Sequence, residues 1–218
     1  MRGTVVDIGR AYTFITSDPK WISKVLIGAA VSLVPILNLA LYGYALDVVK
    51  RVYHGNELPL PEWDDFGDYF VRGLLVAIGV FIWQLPILLL ICPVIIAGTI
   101  AESGWVFVLG FACLLPVGII LSAVIGQVVA ARYALSGEFS SMFEFGDIVA
   151  ESRRGVGVLL LCVLIYIAAS LLGVIAGLVT CGIGFFVIGP WLTLAQAHLL
   201  GQAYRQVRNV PPLASTAF

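Results

Sequence analysis

Polar side chains within an apolar stretch near the C-terminus are the first candidates for chemistry. His198 and Gln202 are four residues apart and share a helix face, and Arg205 lies three residues further on. Polar groups inside a membrane are costly and usually face protein or water, so this stripe and Gln127 could line a polar path. Hydrogen bonds between packed helices are the alternative, and the segment has no carboxylate to pair with the histidine.

A second candidate is the densest acidic cluster of the chain, which contains Glu62, Asp64, Asp65 and Asp68. Such a cluster could bind a cation or dock a basic partner. The alternative is structural, because Asp residues at the start of a helix beginning near Phe66 would accept hydrogen bonds from its free N–H groups and suit its dipole.

A third candidate is a stripe of small residues. Ala169, Gly173 and Gly177 recur at every fourth position, which lets two helices approach closely. The stripe predicts a helix-packing face, either within the chain or between two copies.

Signatures of catalysis and cofactor binding are missing from the sequence. It contains no HExxH, GxSxG, Walker or dinucleotide-binding motif. The four cysteines form no CxxC pair and have no histidine at ligand spacing, so neither a metal nor another cofactor is expected. The net charge of −1 argues against a nucleic-acid partner. We therefore expect a protein that is not an enzyme.

The elements that must position these residues are membrane helices. The chain is 61% hydrophobic and 11% charged, whereas soluble domains carry about 25% charged residues. A bilayer core needs roughly 20 helical residues to cross it. The uncharged stretches are 25–46, 73–101, 103–131 and 155–204. They predict an all-α, polytopic transmembrane helical bundle forming one integral membrane domain over residues 1–218.

Charge distribution refines the topology. Five full spans would place Lys and Arg on both sides of the membrane, against the positive-inside rule. The Val34-Pro35-Ile36-Leu37-Asn38 segment breaks the helix, so residues 21–50 are predicted to be a broken or re-entrant segment. A tilted full span with the N-terminus outside is the alternative. The remaining predictions are transmembrane hairpins at 72–131 and 155–205, a cytoplasmic tail at 206–218 and both termini in the cytoplasm.

The first 20 residues are predicted to form an interfacial amphipathic helix. Val5, Ile8, Tyr12 and Ile15 fall at helical spacing on one face, and Pro19 follows the end of this pattern. Such a segment could lie among the lipid headgroups before the chain enters the membrane. The alternative is an ordinary soluble turn of helix, and both interpretations place the segment on the cytoplasmic surface.

A weak internal repeat supports the hairpins. An acidic residue, an apolar residue, glycine and a charged residue recur at Asp7-Ile8-Gly9-Arg10, Asp65-Phe66-Gly67-Asp68 and Glu144-Phe145-Gly146-Asp147. Each copy is followed, after a membrane segment, by a glycine marker at Gly43, Gly126 or Gly201 and then by an arginine. The first copy is shorter, as a shallow hairpin would be.

The segment Pro59-Leu60-Pro61-Glu62-Trp63-Asp64-Asp65-Phe66-Gly67-Asp68 carries a family resemblance. With Asp7-Ile8-Gly9-Arg10-Ala11-Tyr12 and the stretch from Ile27-Gly28 to Asn38, it resembles domain-of-unknown-function family 4013. The resemblance covers most of the chain. It implies a multi-pass protein of a prokaryotic cell (inner) membrane and supplies no activity.

The expected function is that of a non-catalytic component of the lipid bilayer. We expect a subunit or assembly and scaffolding partner of a membrane complex, with a membrane protein or a second copy of the chain as its partner. A small-solute or ion transporter acting as an oligomer and a membrane-shaping hairpin protein are the alternatives.

Overall fold

The fold is entirely helical over the part of the chain that the structure describes. The computed structural model describes residues 6–56, 58, 60–100, 104–109, 112 and 115–210. The helices are α1 (Ile8–Thr13), α2 (Trp21–Ser32), α3 (Asn38–His54), α4 (Phe66–Ile100), α5 (Gly104–Leu109), α6 (Leu115–Ser136), α7 (Phe145–Val179) and α8 (Ile183–Val207). Short 3-10 helices lie at Phe14–Ser17 and Phe139–Phe143. The predicted all-α class is confirmed.

Within the described ranges, four helices are long and apolar enough to cross a membrane. They span Phe66–Gly98, Leu115–Ser136, Phe145–Val179 and Gly184–Val207. Both α4 and α7 contain 35 residues, which is about 52 Å of helix and more than a bilayer core needs. The predicted multi-pass bundle is therefore confirmed, and the N-terminal turns of α4 and α7 extend beyond the apolar region.

The first hairpin is short and broken. Helix α2 has 12 residues and α3 has 17, and a turn over residues 33–37 separates them. The Ser32 hydroxyl donates to the Gly28 carbonyl and approaches the Asn38 side chain, so polar groups close the break. The helix break predicted around Pro35 is present.

Helix α3 is the central element, because it packs extensively against both α4 and α8. A Cβ atom on Gly43 would overlap the Tyr69 carbonyl oxygen, and one on Gly73 would overlap the Leu39 carbonyl oxygen. These two glycines bring the backbones of α3 and α4 into direct contact. Gly201 of α8 is similarly close to Val52 of α3.

The N-terminal segment packs against α8. Ala11, Phe14 and Ile15 are buried, whereas Ile8 is 42% exposed. The face predicted to lie among headgroups is therefore not continuous: Ile8 is exposed, whereas Ile15 is buried. The reason is that α1 ends at Thr13 and the tighter 3-10 turn directs Phe14 and Ile15 together toward the protein. Val5 lies outside the described residues.

The packed core lies at one end of the bundle, where α3, α6 and α8 end and α4 and α7 begin. We call this the charged end, since all ion pairs among the described residues lie there. Large apolar side chains on the far halves of the hairpins, such as Leu89 and Leu172, are about 70% exposed. A bilayer is the environment in which such surfaces are stable.

Candidate functional site

The polar pair on α8 holds the N-terminal segment. Gln202 Nε2 lies 2.9 Å from His198 Nδ1, and the Asp7 backbone N–H donates to Gln202 Oε1 at 2.7 Å. The buried His198 ring stacks on Phe14 with ring centroids 4.4 Å apart. Both side chains therefore connect α8 to the start of the chain.

The other two members of the predicted stripe have separate partners. Arg205 donates to the Tyr53 carbonyl at the end of α3. Gln127 of α6 donates to the Leu159 carbonyl of α7 at 3.3 Å. The structure thus joins His198 to Gln202, whereas Arg205 and Gln127 bind the carbonyls of Tyr53 and Leu159.

The segment that precedes the acidic cluster is held by a buried lysine. Lys24 Nζ lies 2.7 Å from Asp18, 3.2 Å from Glu62 and 3.2 Å from the Leu60 carbonyl. Its hydrogen bond and charge hold the pKa of Glu62 below its ordinary value. Burial opposes ionisation of Asp18, but hydrogen bonds from Lys24 and the Lys20 backbone still lower its pKa. Lys24 therefore keeps both carboxylates charged.

Aromatic side chains secure the same segment. Trp63 stacks on Tyr44 at 4.2 Å and donates through Nε1 to the Lys24 carbonyl. The Tyr44 hydroxyl donates to the Pro61 carbonyl at 2.7 Å, and the Tyr69 hydroxyl donates to the Glu62 carbonyl at 2.9 Å. The Pro-Glu-Trp sequence is thus a fixed connection between α3 and α4.

Three of the four acidic cluster residues have structural partners. Glu62 pairs with lysine, Asp65 accepts a hydrogen bond from the Asp68 N–H at the start of α4, and Asp68 pairs with Arg72 at 2.6 Å. Asp64 is exposed and forms no ion pair with any described residue. The helix-start interpretation of Asp65 therefore agrees with its geometry, and Asp64 is the member without an ion pair among the described residues.

A larger charged network was missed in the sequence. Glu151 of α7 is 7% exposed and contacts Arg132 of α6, Arg208 after α8, and the Tyr204 hydroxyl. Arg132 also pairs with Glu144. The available signal was that Glu151 falls on the same helix face as buried apolar residues, but periodicity does not reveal which basic side chains lie opposite.

The small-residue stripe faces α8. A Cβ atom on Gly173 would lie 3.1 Å from Ile188, and one on Gly177 would meet the Phe185 ring. Ala169 is partly buried on the same helix. The stripe therefore lies in an internal contact of the second full hairpin.

Comparison with known proteins gives a family and no activity. Residues 27–182 match the family described as "Protein of unknown function (DUF4013)". The chain belongs to the DUF4013 family. No curated protein and no solved structure matches it.

The repeat motifs of this DUF4013 chain occupy equivalent structural positions. Asp7 caps the start of α1 and Asp65 caps the start of α4, each by accepting a backbone N–H bond three residues ahead. Glu144 immediately precedes α7, where its carboxylate binds Arg132 instead. The motif therefore marks a helix start in all three units.

Some polar groups of the DUF4013 chain lack partners within its apolar region. Tyr42 of α3 and Tyr166 of α7 are both nearly half exposed, and their side chains lie close enough to interact electrostatically. Neither hydroxyl forms a hydrogen bond with a described residue. Gln196 lies on α8, which packs against both α3 and α7. Its buried Oε1 also has no hydrogen-bond partner among the described residues.

Metal ligands do not converge in the described part of this family member. No group of three or more His, Cys, Asp or Glu side chains there is arranged to hold a metal ion. The candidate sites are thus helix contacts, Asp64, the Tyr42 and Tyr166 hydroxyls, and the buried Gln196 Oε1.

Proposed function

We propose that this protein is a non-catalytic component of a prokaryotic cell (inner) membrane that binds another membrane protein, as a subunit or assembly and scaffolding partner. The charged end and both termini would lie in the cytoplasm. The observation that supports the proposal is the set of unpaired polar groups formed by Tyr42, Tyr166 and Gln196. We call the exposed surface of Tyr42 and Tyr166 the tyrosine face.

The position of Tyr166 along α7 would place its hydroxyl deep in the bilayer. Tyr166 lies 11 residues into the uncharged stretch that begins at Gly155. At about 1.5 Å per residue, this is roughly 16 Å, near the middle of a bilayer core about 30 Å thick. Lipid chains offer no hydrogen-bond partner at that depth, so an unpaired hydroxyl there is costly.

A helix of another protein would satisfy these groups. Polar side chains on neighbouring membrane helices form hydrogen bonds across their interface, and tyrosine supplies a large contact area together with a donor. A partner with a polar side chain near mid-membrane depth would pair with Tyr42 and Tyr166.

The transporter alternative has less structural support. The polar stripe that suggested it includes His198 and Gln202, which are occupied in holding α1 against α8. The membrane-shaping alternative would use an amphipathic N-terminal segment to wedge one leaflet. Ala11, Phe14 and Ile15 of that segment are buried in the protein, and Phe14 stacks on His198 of α8.

Site-specific photocrosslinking tests the proposal. A benzophenone amino acid at Tyr166 is expected to give one discrete adduct in native membranes, whereas the same group at Leu172, which is 69% exposed on another side of α7, should not. The adduct partner should co-purify with the wild-type chain in mild detergent and be lost with Y42F/Y166F. Equal labelling from both positions, or co-purification that the double substitution does not change, would contradict the proposal.

A further inference from the structure

Two adjacent arginines on α7 remain outside every ion pair described above. Arg153 and Arg154 are both exposed, and neither has a hydrogen-bond or ion-pair partner among the described residues. Their neighbour Glu151 points the other way, toward Arg132 and Arg208. The pair therefore places two positive charges, without acidic partners among the described residues, on the exposed surface of the bundle.

The position of the pair along the helix corresponds to a membrane boundary. Gly155 packs against Val207, the last residue of α8, so Arg153 and Arg154 lie level with the end of that span. No charged residue follows until Arg205. Basic side chains directly before an apolar span lie where phospholipid phosphates are found.

The surface next to the arginines leaves room for a lipid. Gly157 lies about one helical turn after the two arginines on α7. A Cβ atom placed there would meet nothing within 4 Å. Beyond this notch the same side of α7 is apolar and exposed, with Leu161 at 40% and Leu164 at 62%. The arginines, the notch and the apolar surface follow one another along α7 in the same order as the phosphate group, the glycerol backbone and the acyl chains of a phospholipid.

We propose that Arg153, Arg154 and Gly157 form a binding site for one anionic phospholipid. The two guanidinium groups bind the headgroup phosphate, and the notch at Gly157 admits the glycerol region beside the helix. A zwitterionic lipid binds more weakly because its own positive charge opposes the arginines. This site lies on a different part of the protein from the tyrosine face and does not depend on a protein partner.

Native mass spectrometry of the detergent-purified full-length chain tests the site. Dioleoylphosphatidylglycerol is titrated against the wild type, and dioleoylphosphatidylcholine serves as the zwitterionic comparison. Replacing both arginines by glutamine, R153Q/R154Q, is expected to weaken phosphatidylglycerol binding by about tenfold or more.

A matched control removes the same charge elsewhere. Arg10 and Lys50 are also exposed and without an ion pair among the described residues, so R10Q/K50Q should change binding by less than about twofold. Gly157→Leu retains all charges and fills the notch, so it should weaken phosphatidylglycerol binding while the protein stays monodisperse. Equal binding of both lipids by the wild type, or equal losses in the two double variants, would overturn the proposal.

Discussion

At the residue scale, buried ion pairs hold the charged end together. Glu151 connects three elements because it contacts Arg132, Arg208 and Tyr204. Lys24 does the same for the N-terminal region through Asp18. Buried pairs add little net stability over an apolar core, but removing one partner leaves a charge without compensation. These residues are therefore expected to be sensitive to substitution.

Substitution of Glu151 tests this interpretation. Glu151→Gln leaves Arg132, which is 7% exposed, with only the partially exposed carboxylates of Glu144 and Asp147. We expect it to destabilise the fold by about 3 kcal/mol and to lower the unfolding temperature measured by tryptophan fluorescence in detergent. Glu138 forms no ion pair among the described residues, so Glu138→Gln is the control. Equal unfolding temperatures for the two variants would refute the assigned role of Glu151.

At the element scale, α3 organises the bundle through close backbone contacts. Gly43 and Gly73 allow α3 and α4 to touch without intervening side chains. Gly201 gives α8 the same access to α3. The glycine markers of the first and third repeat units therefore have a physical purpose, which is close helix packing. Gly126, the marker of the second unit, makes only an ordinary contact with Val80.

The contrast between two helical glycines provides a test at this scale. Gly43→Ala would place a methyl group onto the Tyr69 carbonyl oxygen and force α3 and α4 apart. We expect poor accumulation in the membrane and loss of the monodisperse peak in size-exclusion chromatography. Gly189→Ala meets open space in α8 and should behave as wild type or be slightly more stable, because alanine favours helix more than glycine does. A folded Gly43→Ala variant of wild-type stability would contradict the close packing of α3 and α4.

At the scale of the whole molecule, three hairpin-like units share one charged end. The sequence was sufficient for the helical class, the apolar spans and the break near Pro35, because each depends on local composition or on a single residue type. It was insufficient to predict which side chains and carbonyls His198, Glu151 and Arg205 contact. Those partners depend on which helices become neighbours, and periodicity along one helix does not contain that information.

The family match covers most of the helices of this architecture. Residues 27–182 include α3, the long helices α4 and α7 that begin the two full hairpins, and the acidic segment around Trp63. That segment joins α3 to α4 through Tyr44, Tyr69 and Lys24. A segment within the family match therefore also fixes the position of the central helix.

The central proposal is that the charged end lies entirely on one side of the membrane, as it would if the short first hairpin does not cross the bilayer. It is tested by labelling single cysteines with a membrane-impermeant maleimide in an otherwise cysteine-free chain. We expect Arg10→Cys, Asp64→Cys and Glu138→Cys to be protected in intact spheroplasts and labelled once the membrane is permeabilised. Labelling of Arg10→Cys in intact spheroplasts while Asp64→Cys stays protected would place the N-terminus outside and contradict this topology.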